Sequence, residues 1–202
     1  ANRDVDRENN ARLAELPGEL RSYFSTDSTS KRQGVGTVAS STASSEKKRL
    51  IELLNKKVPL ELRLKVGAQV ILTRKLAAHG LVNGSRGVVT QLHDTAASVR
   101  FDNGAEVKVE RDSFSQIGSS SCLSRRQLPL KLGWALTVHK AQGMTLSRAE
   151  VQLDDAFSYG QVYVALSRLT NFAGLWVGGR GFTQRSIKAH PSALNFYRLG
   201  GK

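Results

Sequence analysis

Apolar side chains at Val5, Leu13 and Leu16 stand among charges in DVDRENNARLAEL, a spacing that predicts a modestly amphipathic helix over residues 4–16, stopped by Pro17 and Gly18. A short strand is expected at 20–24. Residues 25–45 are rich in Ser, Thr, Gly and Lys and hold almost no large apolar side chain. Such a segment buries too little surface to offset the entropy of ordering it, so a mobile loop is expected there. Helical spacing returns through Leu50, Leu53 and Leu54 in EKKRLIELLNKK (46–57), and Pro59 ends it.

Beyond Pro59 short strand signals follow one another closely. GAQVILTRKL (67–76) is β-rich, and LVNGSRGVVTQL carries Asn83-Gly84 as a tight-turn candidate. SVRF and AEVKVE alternate apolar with polar positions on either side of Asp102-Asn103-Gly104, the clearest hairpin in the chain. Four or five short antiparallel strands over 59–125 suggest a small barrel inserted into something else. From 126 onward the pattern changes. LPLKLGWALTVHKAQG reads as a buried strand entering a loop, and 149–153 alternates. Residues 161–169 are helix-compatible, 175–177 is a buried-strand candidate, and 192–199 closes with a helix. Strands alternating with helices predict a mainly parallel, helix-covered sheet, an α/β arrangement.

Charge narrows the partners. Lys and Arg number 30 against 17 Asp and Glu, a net charge of +13. A surplus of that size favours a polyanion, because each phosphate neutralised releases condensed counterions. On charge alone, a ribosomal or anionic-membrane role and a merely solvated surface stay open. The single cysteine, Cys122, leaves no intrachain disulfide or cysteine metal cluster and points to a reducing compartment. No apolar run approaches the roughly 20 residues needed to span a bilayer. The chain starts at Ala1 without an initiator Met and reads as a segment of a longer protein.

Two segments carry candidate chemistry. Thr137, His139, Lys140 and Gln142 place four hydrogen-bonding side chains directly after WALTV, and Gly143 lets the backbone come close to a ligand. A strand end opening into a polar turn is where open α/β sheets bind ligands. Lys140 can hold a phosphate as a point charge, and Thr137 and His139 can hydrogen-bond one. A surface loop with a chance polar cluster reads equally from the residues. In GQVYVALSR (160–168), Arg168 follows an apolar element, a placement suited to neutralising charge that develops on a phosphate. An Arg satisfying a helix C-terminus, or pairing with Asp154 or Asp155, is the alternative.

LPLKLGWALTVHKAQGMTLS together with GQVYVALSR closely resembles motifs V and VI of the Pif-type (petite integration frequency) DNA helicases, superfamily 1B relatives of RecD. ENNARLAELPGE resembles their motif IV helix, and 62–87 resembles their accessory β-barrel insertion, so the resemblance covers nearly all of the chain outside 25–57. It implies that 1–58 and 126–202 form the second RecA-like motor domain, an α/β fold, interrupted by a small SH3-like barrel at 59–125. It further implies ATP-driven 5′ to 3′ translocation on single-stranded DNA, and unwinding of duplex, forked and G-quadruplex DNA. The setting would be repair, recombination or telomere maintenance, in the nucleus, the mitochondrion or both. By position, Arg168 would be the arginine finger, with Gln142, Gly143 and Gln161 near the same nucleotide. Thr137, His139, Lys140 and Asn2 would contact DNA, and Tyr163 would be structural. Lys65, Arg74, Lys75 and Arg86 in the barrel are further candidate DNA contacts, or plain solvated cations.

A complete motor needs GxxxxGK[ST] to cradle phosphates and an acidic pair to hold Mg²⁺. The first is absent from this sequence, and neither Asp154-Asp155 nor Glu106 lies in a buried-strand setting suited to the second. The resemblance puts both, with the Mg²⁺ ligands, in a first RecA-like domain upstream, the expected partner of this chain. The segment alone is then expected neither to hydrolyse ATP nor to unwind DNA. A monomer with no membrane partner is expected. Two other readings stay open: a non-catalytic single-stranded nucleic-acid-binding module, and the helicase part of a rolling-circle transposon protein.

Overall fold

Helix α1 (Asn2–Glu15) follows from the first hydrophobic pattern, with Arg12 paired to Glu8 one turn earlier and Leu13 buried. The structure, a computed structural model, describes residues 2–31, 40–119, 121–154, 158–181 and 187–198; the side chains of Asn2, Lys31 and 40–44 fall outside that description. The chain divides into two compact units, Arg3–Ala135 and Leu136–Lys202 joined by Ala1–Asn2. No helix among the described residues is long and apolar enough to cross a membrane.

In the first unit, strand β1 (Arg21–Phe24) and helix α2 (Ser40–Lys57) flank β2 (Thr26–Lys31) in sequence. Strand β3 (Glu61–Leu64) pairs antiparallel with β1. Next come β4 (Gln69–Leu72), β5 (Arg86–Leu92), β6 (Ala96–Phe101) and β7 (Glu106–Glu110). They join β10 (Leu130–Leu132) in a five-stranded antiparallel sheet of linear order β10-β4-β5-β6-β7. The predicted hairpin is there in register, Val99 opposite Val107, and of its three turn residues only Gly104 takes positive φ, at 86°. Alternation puts Val99, Phe101, Val107 and Val109 on the core face, where they meet Val70, Leu72 and Val89. The strands expected to close into a barrel stay in this linear order, with no β7–β10 pairing among the described residues.

Of the mobile loop expected over 25–45, residues 32–39 lie outside the described residues, and the remainder is a strand and the start of α2. Strand β2 pairs along its whole length with β9 (Ser121–Gln127), which also pairs with β8 (Asp112–Ile117). Its residues are polar because it is an edge strand with exposed side chains. What orders it is one buried cation. Arg125 is 0% exposed. Its Nε and Nη2 donate to the two carboxylate oxygens of Asp27 at 2.7 Å each, and its Nη1 donates to Asn55 Oδ1 at 2.8 Å and to the Val58 carbonyl at 2.9 Å. The same face packs Leu123 against Leu50 and Leu54 of α2. Because β2 pairs with β9, and β10 with β4, the compact units do not divide at 58/59 and 125/126 as expected.

Asn9 is a further buried polar clamp. Its amide nitrogen donates to the Ala135 carbonyl at 3.0 Å, and its Oδ1 accepts from the Ala135 N–H at 2.9 Å. Asn9→Ala leaves both backbone groups without their partner, and a loss of about 2 kcal/mol is expected in a denaturant titration.

The second unit is smaller. Its strands β11 (Ala149–Val151) and β12 (Leu175–Val177) form the one parallel strand pair among the described residues, in place of the larger parallel sheet expected for 126–202. The expected buried strand through WALTV is shorter than read: it ends at Leu132, and a helix begins at Val138. Strand β12 is present but not buried, since Trp176 is 53% and Val177 45% exposed. The core of this unit is Val151, Leu153, Val162 and Ala165, packed by Val138, Leu166 and Leu169 among others. Helix α5 (Pro191–Arg198) closes the described chain as predicted.

Candidate nucleotide and nucleic-acid site

Both candidate segments lie in the second unit, and the fold joins them. Helix α3 (Val138–Ala141) holds the first, and helix α4 (Gln161–Leu166) leads into the end of the second. Leu146 bridges Leu169 in parallel: the Leu146 N–H donates to the Arg168 carbonyl at 2.8 Å, and the Thr170 N–H donates back to the Leu146 carbonyl at 3.1 Å. Apolar Val138 of α3 and Val162, Ala165 and Leu166 of α4 share one small core. Burial of these side chains turns the intervening polar residues outward.

Thr137 is the N-cap of α3. Its backbone is extended, and its hydroxyl accepts from the Lys140 N–H at 3.4 Å. The cap fixes where the next side chains leave the helix. His139, Lys140 and Gln142 are exposed and have no side-chain partner among the described residues. Gly143 takes φ 80°, with nothing within 4 Å of the place a Cβ would occupy. The residue type is therefore set by the backbone turn and not by crowding, and the space beside it is open to a ligand.

Arg168 stands at the C-terminal turn of α4. Its Nε donates to the Val164 carbonyl at 3.0 Å and its Nη2 to Ser167 Oγ at 2.9 Å. The ion pair with Asp154 considered from sequence is absent: the Asp154 carboxylate accepts from the Arg180 N–H at 2.7 Å, with the Arg180 guanidinium 3.8 Å away. Asp155 lies outside the described residues. Gln161 is half-buried, and its Oε1 accepts from the Ser158 N–H at 3.2 Å across the turn before α4. Tyr163, expected to serve packing, is 74% exposed, because the buried face of α4 runs through Val162 and Ala165.

The remaining candidates, Asn2 apart, lie in the first unit. Lys65 donates to the Leu16 carbonyl at 2.5 Å and the Ala14 carbonyl at 3.3 Å, so its ammonium closes the C-terminal end of α1. Arg74 donates to Asp112 at 2.7 Å and to the Ser113 carbonyl at 2.8 Å, and lies 4.9 Å from the centre of the Phe114 ring. These two cations are held by the fold. The side chains of Lys75 and Arg86 have no partner among the described residues. Asn2 opens α1, and its side chain is outside the description. Glu106 is exposed on β7 and accepts from Thr90 Oγ1 at 2.7 Å, which is no setting for a catalytic metal ligand. Sequence reasoning missed Ser167, whose hydroxyl accepts from the Arg168 guanidinium. Its adjacency in LSR was visible; its contact needed the helix end.

Comparison with known proteins bears on the same residues. The family model described as the DNA helicase Pif1, 2B domain, matches residues 53–92, from the end of α2 to the end of β5. The ATP-dependent DNA helicase PIF1 of Danio rerio is 42% identical over 203 residues, and that of Homo sapiens 37% over 201; each match covers 96% of this chain. The chain spans 28% of the length of these relatives. Among solved structures, the Pif1 helicase from Candida albicans matches with a TM-score of 0.77 at 29% identity, covering 98% of this chain and 48% of that one. Bacteroides Pif1 bound to single-stranded DNA matches with a TM-score of 0.72 at 29% identity, covering 98% of this chain and 43% of that one.

Proposed function

Since the chain belongs to the Pif1 helicase family and shares its α/β fold, we propose that it is the C-terminal part of an ATP-dependent DNA helicase. In this reading the second unit contributes to the second RecA-like motor domain and the strands around 59–125 to the inserted SH3-like module. The observation that carries it is the joining of 137–146 to 160–169 through Leu146 and Leu169, which holds exposed Lys140 and Gln142, open Gly143 and Arg168 in one small unit. The Pif1 relatives are named ATP-dependent, and a related Bacteroides structure holds ADP-AlF4.

The residues fit a nucleotide. Two of the five N–H groups of Arg168 are engaged within its own helix end, so the other three remain for phosphate oxygens. Gly143 offers backbone approach and Gln142 an exposed amide, and Gln161 stands at the turn before α4 in the same unit. ATP supplies the free energy of hydrolysis when bound, and the Mg²⁺ ligands and the phosphate cradle belong to the first RecA-like domain. His139, Lys140 and the capped Thr137 contact the DNA backbone, where phosphate contacts position the strand without reading its sequence. Lys75 and Arg86 remain free to add such contacts, and Asn2 joins them in this reading. The substrates are single-stranded and forked DNA, with G-quadruplex DNA a further one. The protein acts as a monomer in the nucleus or the mitochondrion.

Lys140 tests the link between the two ligands. Lys140→Ala in the full-length protein is expected to lower the stimulation of ATPase by single-stranded DNA about tenfold, leaving the unstimulated rate unchanged. Undiminished stimulation in a steady-state ATPase titration with oligonucleotide would remove Lys140 from the coupling path.

A further inference from the structure

The Arg168 guanidinium is one side of a closed hydrogen-bond ring. Ser167 Oγ donates to the Val164 carbonyl at 3.1 Å and accepts from Arg168 Nη2 at 2.9 Å, while Arg168 Nε donates to the same carbonyl at 3.0 Å. The Ser167 N–H already donates to the Tyr163 carbonyl at 2.8 Å, and the Arg168 carbonyl accepts from Leu146 at 2.8 Å, so the backbone under both side chains is pinned on each side. A hydroxyl is one donor with two acceptor lone pairs. Here the donor is committed to Val164, so the lone pairs face the guanidinium. We propose that Ser167 is a positioning residue for Arg168: its hydroxyl fixes the plane of the guanidinium so that the Nη1 edge is turned away from the helix end. The inference rests on the role given to Arg168 in the proposed function.

The physical reason is pre-organisation. An arginine side chain has many rotamers to lose, and its planar fork neutralises phosphate charge well only when its orientation is set beforehand. Nε and one Nη2 hydrogen hold the plane, and three N–H groups remain for the ligand. Removing the hydroxyl leaves the Nε bond, which is a pivot and not a plane. The loss therefore falls on the geometry of the charge-neutralising step and not on affinity for either ligand.

The test compares Ser167→Ala, Ser167→Thr and Arg168→Ala in the full-length protein, by ATPase kinetics with saturating single-stranded DNA. Ser167→Ala is expected to lower kcat about tenfold, with KM for ATP and Kd for a fluorescent oligonucleotide within about twofold, the scale of one hydrogen bond to a charged group. Ser167→Thr keeps the hydroxyl and is expected to restore kcat to within about threefold of the parent. A structural role alone would lower the melting temperature or shift KM and Kd without this pattern, and would overturn the proposal. So would an unchanged kcat in Ser167→Ala, or a Ser167→Thr variant as slow as Ser167→Ala. If Arg168→Ala itself keeps its full rate, the role of Arg168 fails instead, an outcome distinct from Arg168→Ala inactive and Ser167→Ala fully active.

Discussion

Replacing Arg168 by alanine in the full-length protein is expected to lower the DNA-stimulated kcat for ATP hydrolysis by on the order of 10³-fold or more. Affinity for single-stranded DNA is expected to be unchanged. The expectation follows from where the residue sits. It is the second residue after α4, just past the Ser167 C-cap, its carbonyl is bound by Leu146, and most of its N–H groups remain available. A cation that acts on charge developing at a phosphate contributes in the transition state and little to ground-state binding, so kcat falls while binding holds. Arg168→Lys keeps the charge but loses the fork and the Nε bond to Val164, and is expected to recover only a minor part of the rate. Steady-state ATPase kinetics beside a fluorescence-anisotropy titration decides it. A loss shared equally by DNA affinity and turnover would mean that Arg168 holds the fold or the strand instead.

The largest stability effect is expected at Arg125. Arg125→Ala removes a fully buried guanidinium that holds Asp27, Asn55 and the Val58 carbonyl, and leaves the Asp27 carboxylate with no partner in a part-buried site. Breaking one side of a buried pair costs about 3–5 kcal/mol, because the other charge stays behind. The unfolding midpoint should fall by roughly 10 °C. The double variant Arg125→Met with Asp27→Leu removes both charges and is expected to recover most of that loss, since apolar replacement of a whole buried pair is often neutral. Thermal melts of the three proteins give the answer. A double variant no better than Arg125→Ala would show that the hydrogen bonds to Asn55 and Val58, and not the ion pair, hold the sheet.

Arg125 also marks where the sequence stopped being readable. SRRQ reads as two adjacent surface cations, and alternation alone does not say which one faces inward. The partner that decides it, Asp27, is 98 residues away in a segment of Ser and Thr. Polar edge strands look like loops because their order comes from a neighbour's backbone and one buried charge, and neither leaves a local pattern. The hairpin around Gly104 was legible for the opposite reason: its turn chemistry and its alternation are both local. In the candidate site the residue types and the motif order were legible, and so was the helix after Gly160. The ring formed by Ser167, Val164 and Arg168 was not, because it needs a helix to end within one turn of the arginine. Lys65 and Arg74 look like any other exposed cations in sequence. Only the carbonyls at the end of α1 and the carboxylate of Asp112 show what they bind.

The most direct test of the whole account is strand separation by the full-length protein, followed on a fluorescent partial duplex with a 5′ single-stranded tail. ATP-dependent unwinding of that substrate, with little on its 3′-tailed counterpart, is the result expected of a motor whose second half contains these residues. Retained binding to the tail with no ATP-dependent unwinding would contradict it, and would mark the chain as part of a non-catalytic nucleic-acid-binding protein.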